Sequence, residues 1–337
     1  MVKNFFSQHR LSISVLGGFA VLLLSITLAN AILGIGPNLL MKWLGASENV
    51  QVYLGKTLTY GLRLLAYIVF PALALKTVLR VNPWPGFFPL EPSARKDVLT
   101  GILVISAVLS ALFVLELASS GLILDGWNWQ ALSAETWWRI LWAGFLVNLC
   151  VAVGEETLFR GYLLTGLNAA WGRWRALLGM SVVFGVMHLL AYSEGGMQSG
   201  TLALAILLAT LFGLLFGLVR MQTGTLWMPV ALHFTWNFLE TDVFNLTGDG
   251  HHVNLVGAIT RLQPPLTMTD LNIGNIIILE FGAFVIIAGL LWLLALKGSI
   301  HSCWDRQLKQ NNAFQRRFDR PHDESDDNGL LGTSHEL

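Results

Sequence analysis

The chain has 337 residues, of which 54% are hydrophobic and only 12% charged; soluble domains carry about 25% charged residues. Its mean hydropathy is +0.60, which excludes an ordinary soluble globular domain. A formal net charge of +0 gives no cationic surface for nucleic acid, so no nucleic-acid partner is expected.

A hydrocarbon core about 30 Å thick takes about 20 apolar residues of helix. Runs at 11–33, 54–79, 98–118, 138–164, 174–192, 201–220, 226–242 and 273–296 meet or nearly meet that length. They predict an all-α fold, a polytopic membrane helical bundle of about eight transmembrane helices. The first run follows Lys3 and Arg10 and precedes Ala29-Asn30-Ala31, as in a secretory signal. It is longer than the usual apolar region of about 7–15 residues, so it reads as an uncleaved span. Arg63 falls in the second run, Glu116 in the outer half of the third and Glu280 in that of the eighth. These read as structural ion pairs or snorkelling charges rather than a proton path. Gly213 and Gly217 form a GxxxG in the sixth run, read as close packing within the chain rather than a dimer face. Pro229 enters the seventh run in its first turns, where a missing N–H costs little. His251 and His252 read as solvated loop, and Asn245-Leu246-Thr247 as a sequon. Cys150 lies in an apolar run and Cys303 in a polar tail, so no structural disulfide is expected.

Lysine and arginine set the orientation. Lys3, Arg10, Arg80, Arg95, Lys96, Arg173, Arg175, Arg220, Lys297, Arg306, Lys309, Arg316, Arg317 and Arg320 fall on one side. Only Lys42, Lys56, Arg139 and Arg261 fall on the other. The expectation is a multi-pass protein of the cell membrane with both termini and the 165–173 loop cytosolic, and 119–136 and 243–271 exterior. Trp127, Trp129, Trp137 and Trp138 mark one interface, and Trp171, Trp174 and Trp227 the other.

Ionisable residues at membrane depth demand a reason. The fourth run holds Gly154-Glu155-Glu156-Thr157-Leu158-Phe159-Arg160-Gly161, the fifth Phe184-Gly185-Val186-Met187-His188, and the seventh His233-Phe234-Thr235-Trp236-Asn237. At 1.5 Å per residue, the glutamates lie roughly 12–14 Å from their cytosolic helix end, His188 roughly 20 Å, His233 roughly 10 Å and Asn237 roughly 16 Å. Three helices of alternating direction thus bring polar groups to a similar level. Taken singly, a membrane histidine is usually an interhelical hydrogen bonder and a Glu–Arg i,i+4 pair is usually structural. Four positions at matched depth are not so explained.

His233 and Asn237 share a helix face, as do Phe184 and His188, and Phe184 walls the site. Adjacent residues diverge by about 100°, so Glu155 and Glu156 are not expected to aim at one point. Arg160 lies four residues after Glu156 and neutralises it, leaving Glu155 to the cavity. A desolvated carboxylate beside neutral imidazoles can activate water, and imidazole and amide N–H groups can meet an oxyanion. Glu155, His188 and His233, with Asn237, are also a workable ligand set for a divalent metal such as zinc. Either way the chemistry points to hydrolysis of a carbonyl within the membrane. A proton-coupled transporter or a non-catalytic membrane scaffold could use the same buried groups, but no internal repeat of the kind transporters show is visible.

The ordered set Glu155-Glu156-x-x-x-Arg160, Phe184-x-x-x-His188 and His233-x-x-x-Asn237 resembles the CPBP family of membrane-embedded CAAX proteases and bacteriocin-processing proteins. The flanks Phe159-Arg160-Gly161-Tyr162-Leu163 and Gly224-Thr225-Leu226-Trp227-Met228-Pro229 look alike too, so the resemblance covers about residues 140–242. It implies an intramembrane endopeptidase acting on a membrane-associated protein or peptide in the lipid bilayer. Glu155 and His188 would activate water, His233 and Asn237 would support the oxyanion, and Glu156 and Arg160 would be a supporting pair. The implied division is three helices over 1–136, a catalytic core over 137–242, an exterior loop and last helix over 243–300, and a disordered cytosolic tail over 301–337.

Overall fold

A computed structural model describes residues 2–45, 51–118, 122–194, 199–246, 257–262 and 281–296. Within them the chain is a helical bundle, because apolar backbone in lipid must satisfy its hydrogen bonds inside its own segment. Helix α1 spans Val2–Trp43 and α2 spans Lys56–Ala74, the latter flanked by π-helical turns Gln51–Gly55 and Leu75–Leu79. Arg80, at φ 52°, stops α2 in the left-handed region. Helix α3 (Pro92–Ala118) opens on proline, whose missing N–H is harmless there. The Ser133 hydroxyl accepts from the Thr136 N–H to cap α4. This helix runs Ala134–Glu155, through a π-helical stretch Glu156–Leu163, into Leu164–Trp171. Gly172, at φ 80°, ends it. Helices α5 (Arg173–Glu194), α6 (Ser199–Thr223), α7 (Trp227–Asn237, with a π-helical turn Phe238–Val243) and α8 (Phe281–Leu296) follow.

The eight apolar runs thus correspond to eight helices. Among the described residues five of them are long and apolar enough to cross a membrane: His9–Trp43, Tyr53–Leu79, Pro92–Ala118, Ala134–Trp171 and Leu202–Thr223. The seventh run is different in kind. Met228 to His233 are all buried, and Gly101 of α3 lets that helix approach Ala231 and the Met228 carbonyl of α7. Helix α7 is short because protein, not lipid, surrounds it.

Other expectations need correction. The 165–173 loop is mostly helix, since α4 runs on to Trp171. The connections at 119–136 and 243–271 are not wholly irregular: Leu122–Trp127 (β1) pairs antiparallel with Ala258–Leu262 (β2). Asn245 of the sequon is fully buried at φ 45°, which removes it as a glycosylation acceptor. His251, His252, Glu280, Cys303 and the 301–337 tail lie outside the described residues.

Other expectations hold. A Cβ on Gly217 would strike Leu177, and one on Gly213 would sit 3.1 Å from the Ser181 Cα, so the GxxxG joins α6 to α5 of the same chain. Arg63, by contrast, donates to the Asn30 carbonyl at 3.0 Å, a backbone hydrogen bond and not an ion pair, and Cys150 is buried.

Among the described residues the two larger apolar clusters form the core around the site. One gathers α1, α2, α4 and α5 around Phe159, Tyr162 and Phe184. The other gathers α3, α6, α7 and α8 around Phe216, Leu232 and Trp236. The Arg160 guanidinium lies 4.3 Å from the Phe184 ring centre and 5.5 Å from that of Phe216, so the charged residues occupy the seam between the clusters.

Candidate active site

The residues flanking Glu155 and Glu156 are braced by the N-terminal helices. Gly154 has no side chain where the Tyr67 ring packs, and a Cβ there would come within 2.7 Å of it. Tyr67 donates to the Asn30 side chain at 2.9 Å, and Thr157 donates to the Tyr67 carbonyl at 2.7 Å. Helices α1 and α2 therefore hold α4 at the glutamates. The only sequence signal for this was the glycine itself, ahead of two acids.

Glu155 ends the α-helical part of α4 and Glu156 begins its π-helical stretch. Such insertions re-aim side chains and recur at functional sites. Glu156 and Arg160 are both 0% exposed and meet at 2.9 Å. Arg160 also points at the Phe212 and Gly213 carbonyls, at 3.4 Å each, and lies over Phe184. The expected Glu156–Arg160 pair is therefore present, and it has a further member. His233 Nδ1 lies 2.9 Å from Glu156 Oε1.

That contact corrects the expectation that the two glutamates cannot address one point. His233 Nε2 lies 3.8 Å from Glu155 Oε2, so both acids flank one ring. An imidazole has two nitrogens on different edges, and two residues of diverging direction can each take one.

The hydrogen-bond partners assign the tautomers. His188 Nδ1 lies 2.8 Å from the Phe184 carbonyl, which can only accept, so Nδ1 carries the proton. His233 Nδ1 faces an arginine-bound carboxylate and carries a proton for the same reason. Each ring then directs its Nε2 toward Glu155 Oε2, at 4.0 Å from His188 and 3.8 Å from His233. Glu155 Oε2 is itself buried with no hydrogen-bond partner. The buried Glu155 Oε2 therefore calls for a donor in the space between these groups. A water oxygen about 2.8 Å from Glu155 Oε2, donating to it, fits such a gap.

Zinc tests less well. Two imidazoles and a carboxylate suit it chemically, but bonds of 2.0–2.1 Å in a tetrahedron put ligand atoms only about 3.4 Å apart. Among the described residues no group of three or more His, Cys, Asp or Glu side chains converges tightly enough to hold a metal ion. Asn237 is half-buried one turn beyond His233 on the same face of α7. The site has an open side and a closed one: the Glu155 side chain is 30% exposed and that of His188 22%, while Glu156 and Arg160 are sealed.

The protein is thus a polytopic helical membrane protein with a carboxylate–imidazole centre buried at a seam of its bundle. Residues 136–239 match the family model described as type II CAAX prenyl endopeptidase Rce1-like. That segment holds nearly all of α4 and all of α5, α6 and α7. Over that segment the chain is similar to the CAAX protease family. Comparison with curated proteins and with solved structures gives no significant match.

Proposed function

We propose that this chain hydrolyses a peptide bond of a membrane-associated protein or peptide, with water activated between Glu155 and His188. The observation that carries the reading is the unpartnered Glu155 Oε2, faced by two imidazole rings on the open side of the site. A buried acceptor without a donor is a cost to folding, and a catalytic water removes it.

In this reading the water donates to Glu155 and to His188 Nε2. Glu155 takes its proton as the oxygen attacks the scissile carbonyl carbon. A C–O bond forms and the carbonyl electrons move to oxygen. The Asn237 amide donates to that oxyanion. His233 donates from Nε2 when its ring is protonated, its charge balanced by Glu156 at Nδ1. On collapse the C–N bond breaks and Glu155 returns its proton to the leaving amine. Every step uses side chains of this chain alone.

Both termini are proposed to be cytosolic from the lysine and arginine asymmetry. The central test is proteomics of membrane fractions from cells carrying wild type or Glu155→Ala. New peptide N-termini are expected in wild type only. Identical termini in both, with equal expression, overturn the reading.

A further inference from the structure

The polar contacts of α4 continue beyond the glutamates. Asn148 lies seven residues before Glu155, two helical turns away and on the same face. Its amide donates to Asp242 Oδ2 at 2.6 Å and to the Gly144 carbonyl at 2.9 Å, so both of its N–H groups are used. Asp242 lies in the π-helical turn after α7, nine residues past His233. Asn148 and Asp242 are each 8% exposed.

The surroundings fit this pairing closely. A Cβ on Gly144 would come within 2.6 Å of Asp242 Oδ1, so glycine admits the carboxylate to the α4 surface. The Thr241 hydroxyl donates to the Asn237 carbonyl at 2.6 Å and lies 3.2 Å from Asp242 Oδ2. The Asp242 carbonyl accepts from the Gly257 N–H at 2.9 Å, tying the end of α7 to the start of β2. An apolar pair would bury more cheaply at this depth. What an amide–carboxylate bond adds is a fixed point: it is short, directional and satisfied in one register only.

We infer that Asn148 and Asp242 are positioning residues, a clamp that registers α4 against α7 and so holds Glu155 at His233. The inference rests on the protease reading above. A slip of one residue along a helix is 1.5 Å. That is large beside the 3.8 Å between Glu155 Oε2 and His233 Nε2, and misplacement by about 1 Å can cost about a hundredfold in rate.

The test measures Glu155-dependent cleavage in membranes and thermal unfolding in detergent on one set of full-length variants. Asn148→Leu and Asp242→Leu should each lower the unfolding temperature and reduce cleavage by about tenfold or more. The double Leu variant should regain unfolding temperature, since neither half of the Asn148–Asp242 bond is left unpaired, while cleavage stays about tenfold down. Asp242→Asn keeps an acceptor oxygen for Asn148 and should cleave within about threefold of wild type. If the single Leu variants do not fold, Asn148→Ser decides, with reduced cleavage expected at near-normal unfolding temperature.

Recovery of cleavage together with stability in the double variant makes the pair merely structural and overturns the inference. So does wild-type cleavage by Asn148→Leu or Asn148→Ser. Glu155→Gln run in parallel separates the two claims. Products that persist in Glu155→Gln bring down the protease reading and the clamp's catalytic role with it. Products absent from Glu155→Gln but normal in the Asn148 variants bring down the clamp alone.

Discussion

On its closed side the polar centre is densely bonded. One Glu156 oxygen receives both Arg160 and His233 at 2.9 Å, and two aromatic rings cover the guanidinium. On its open side, one residue away, Glu155 is 30% exposed and its Oε2 has no hydrogen-bond partner. Structure and reaction make opposite demands on a buried carboxylate. To hold a fold it must be paired, because an uncompensated charge in a low dielectric is costly. To take a proton from water it must keep an acceptor free. Adjacent positions meet both demands here because the helix changes from α to π winding between them.

The largest expected effect breaks the open side. Glu155→Gln should reduce cleavage by at least about a hundredfold, since an amide cannot serve as the general base. Its unfolding temperature in detergent should stay near wild type, because no bonded pair is lost. Substantial cleavage by Glu155→Gln sinks the assignment. The next effect falls on the closed side. Glu156→Gln leaves Arg160 charged and short of its counter-ion, at a cost of about 3–5 kcal/mol. Adding Arg160→Met should restore part of that stability, with incomplete recovery of cleavage because His233 still lacks its carboxylate. The contrast is reversed, and lost, if Glu155→Gln is the unstable variant and Glu156→Gln the stable, inactive one.

Much of this was legible in the sequence, for physical reasons. Apolar runs in lipid have one solution, the helix, so all eight appear. The i,i+4 spacing of Glu156 and Arg160 names its own pair. What escaped depends on relations that spacing along one element does not carry. The β1–β2 ribbon pairs Leu122 with Leu262 across 140 positions, and neither strand alternates clearly enough to announce itself. The π winding after Glu155 has no composition signature. The contact of His233 with Glu156 depends on how α7 packs against α4, and so does the bond between Asn148 and Asp242. An asparagine inside an apolar run and an aspartate at the end of another were visible as polar exceptions, but their partnership was not.

A smaller effect sharpens the comparison by touching both sides at one residue. The Phe184 ring covers Arg160 on the closed side, while its backbone carbonyl holds His188 Nδ1 on the open side. Phe184→Leu removes the ring and keeps the carbonyl. It should cost about 1–2 kcal/mol in stability, the size of a desolvated cation–π contact, and leave cleavage within about threefold. A large fall in cleavage at near-normal stability would mean that the ring, not the carbonyl, orients His188.

The smallest expected effect is that of chelation. The open side offers one oxygen and two imidazole nitrogens, a set zinc accepts, so the distinction rests on spacing. The separations of 4.0 and 3.8 Å exceed the roughly 3.4 Å edge of a tetrahedral zinc site. Drawing the three atoms together means moving Glu155 toward both rings. Those rings are held from behind, His188 by the Phe184 carbonyl and His233 by Glu156, at 2.8 and 2.9 Å. A hydrogen-bonded water needs no such movement. Purified protein treated with a strong chelator and then dialysed should therefore keep its cleavage rate within about twofold, the scatter expected of a step that relies on a side-chain base. Its unfolding temperature should not move either, because a metal bound to the folded state alone would add stability that chelation removes. Loss of cleavage on chelation, restored by one equivalent of zinc, would replace the water-bridged centre with a metal-bound one and make Glu155 a ligand rather than a base.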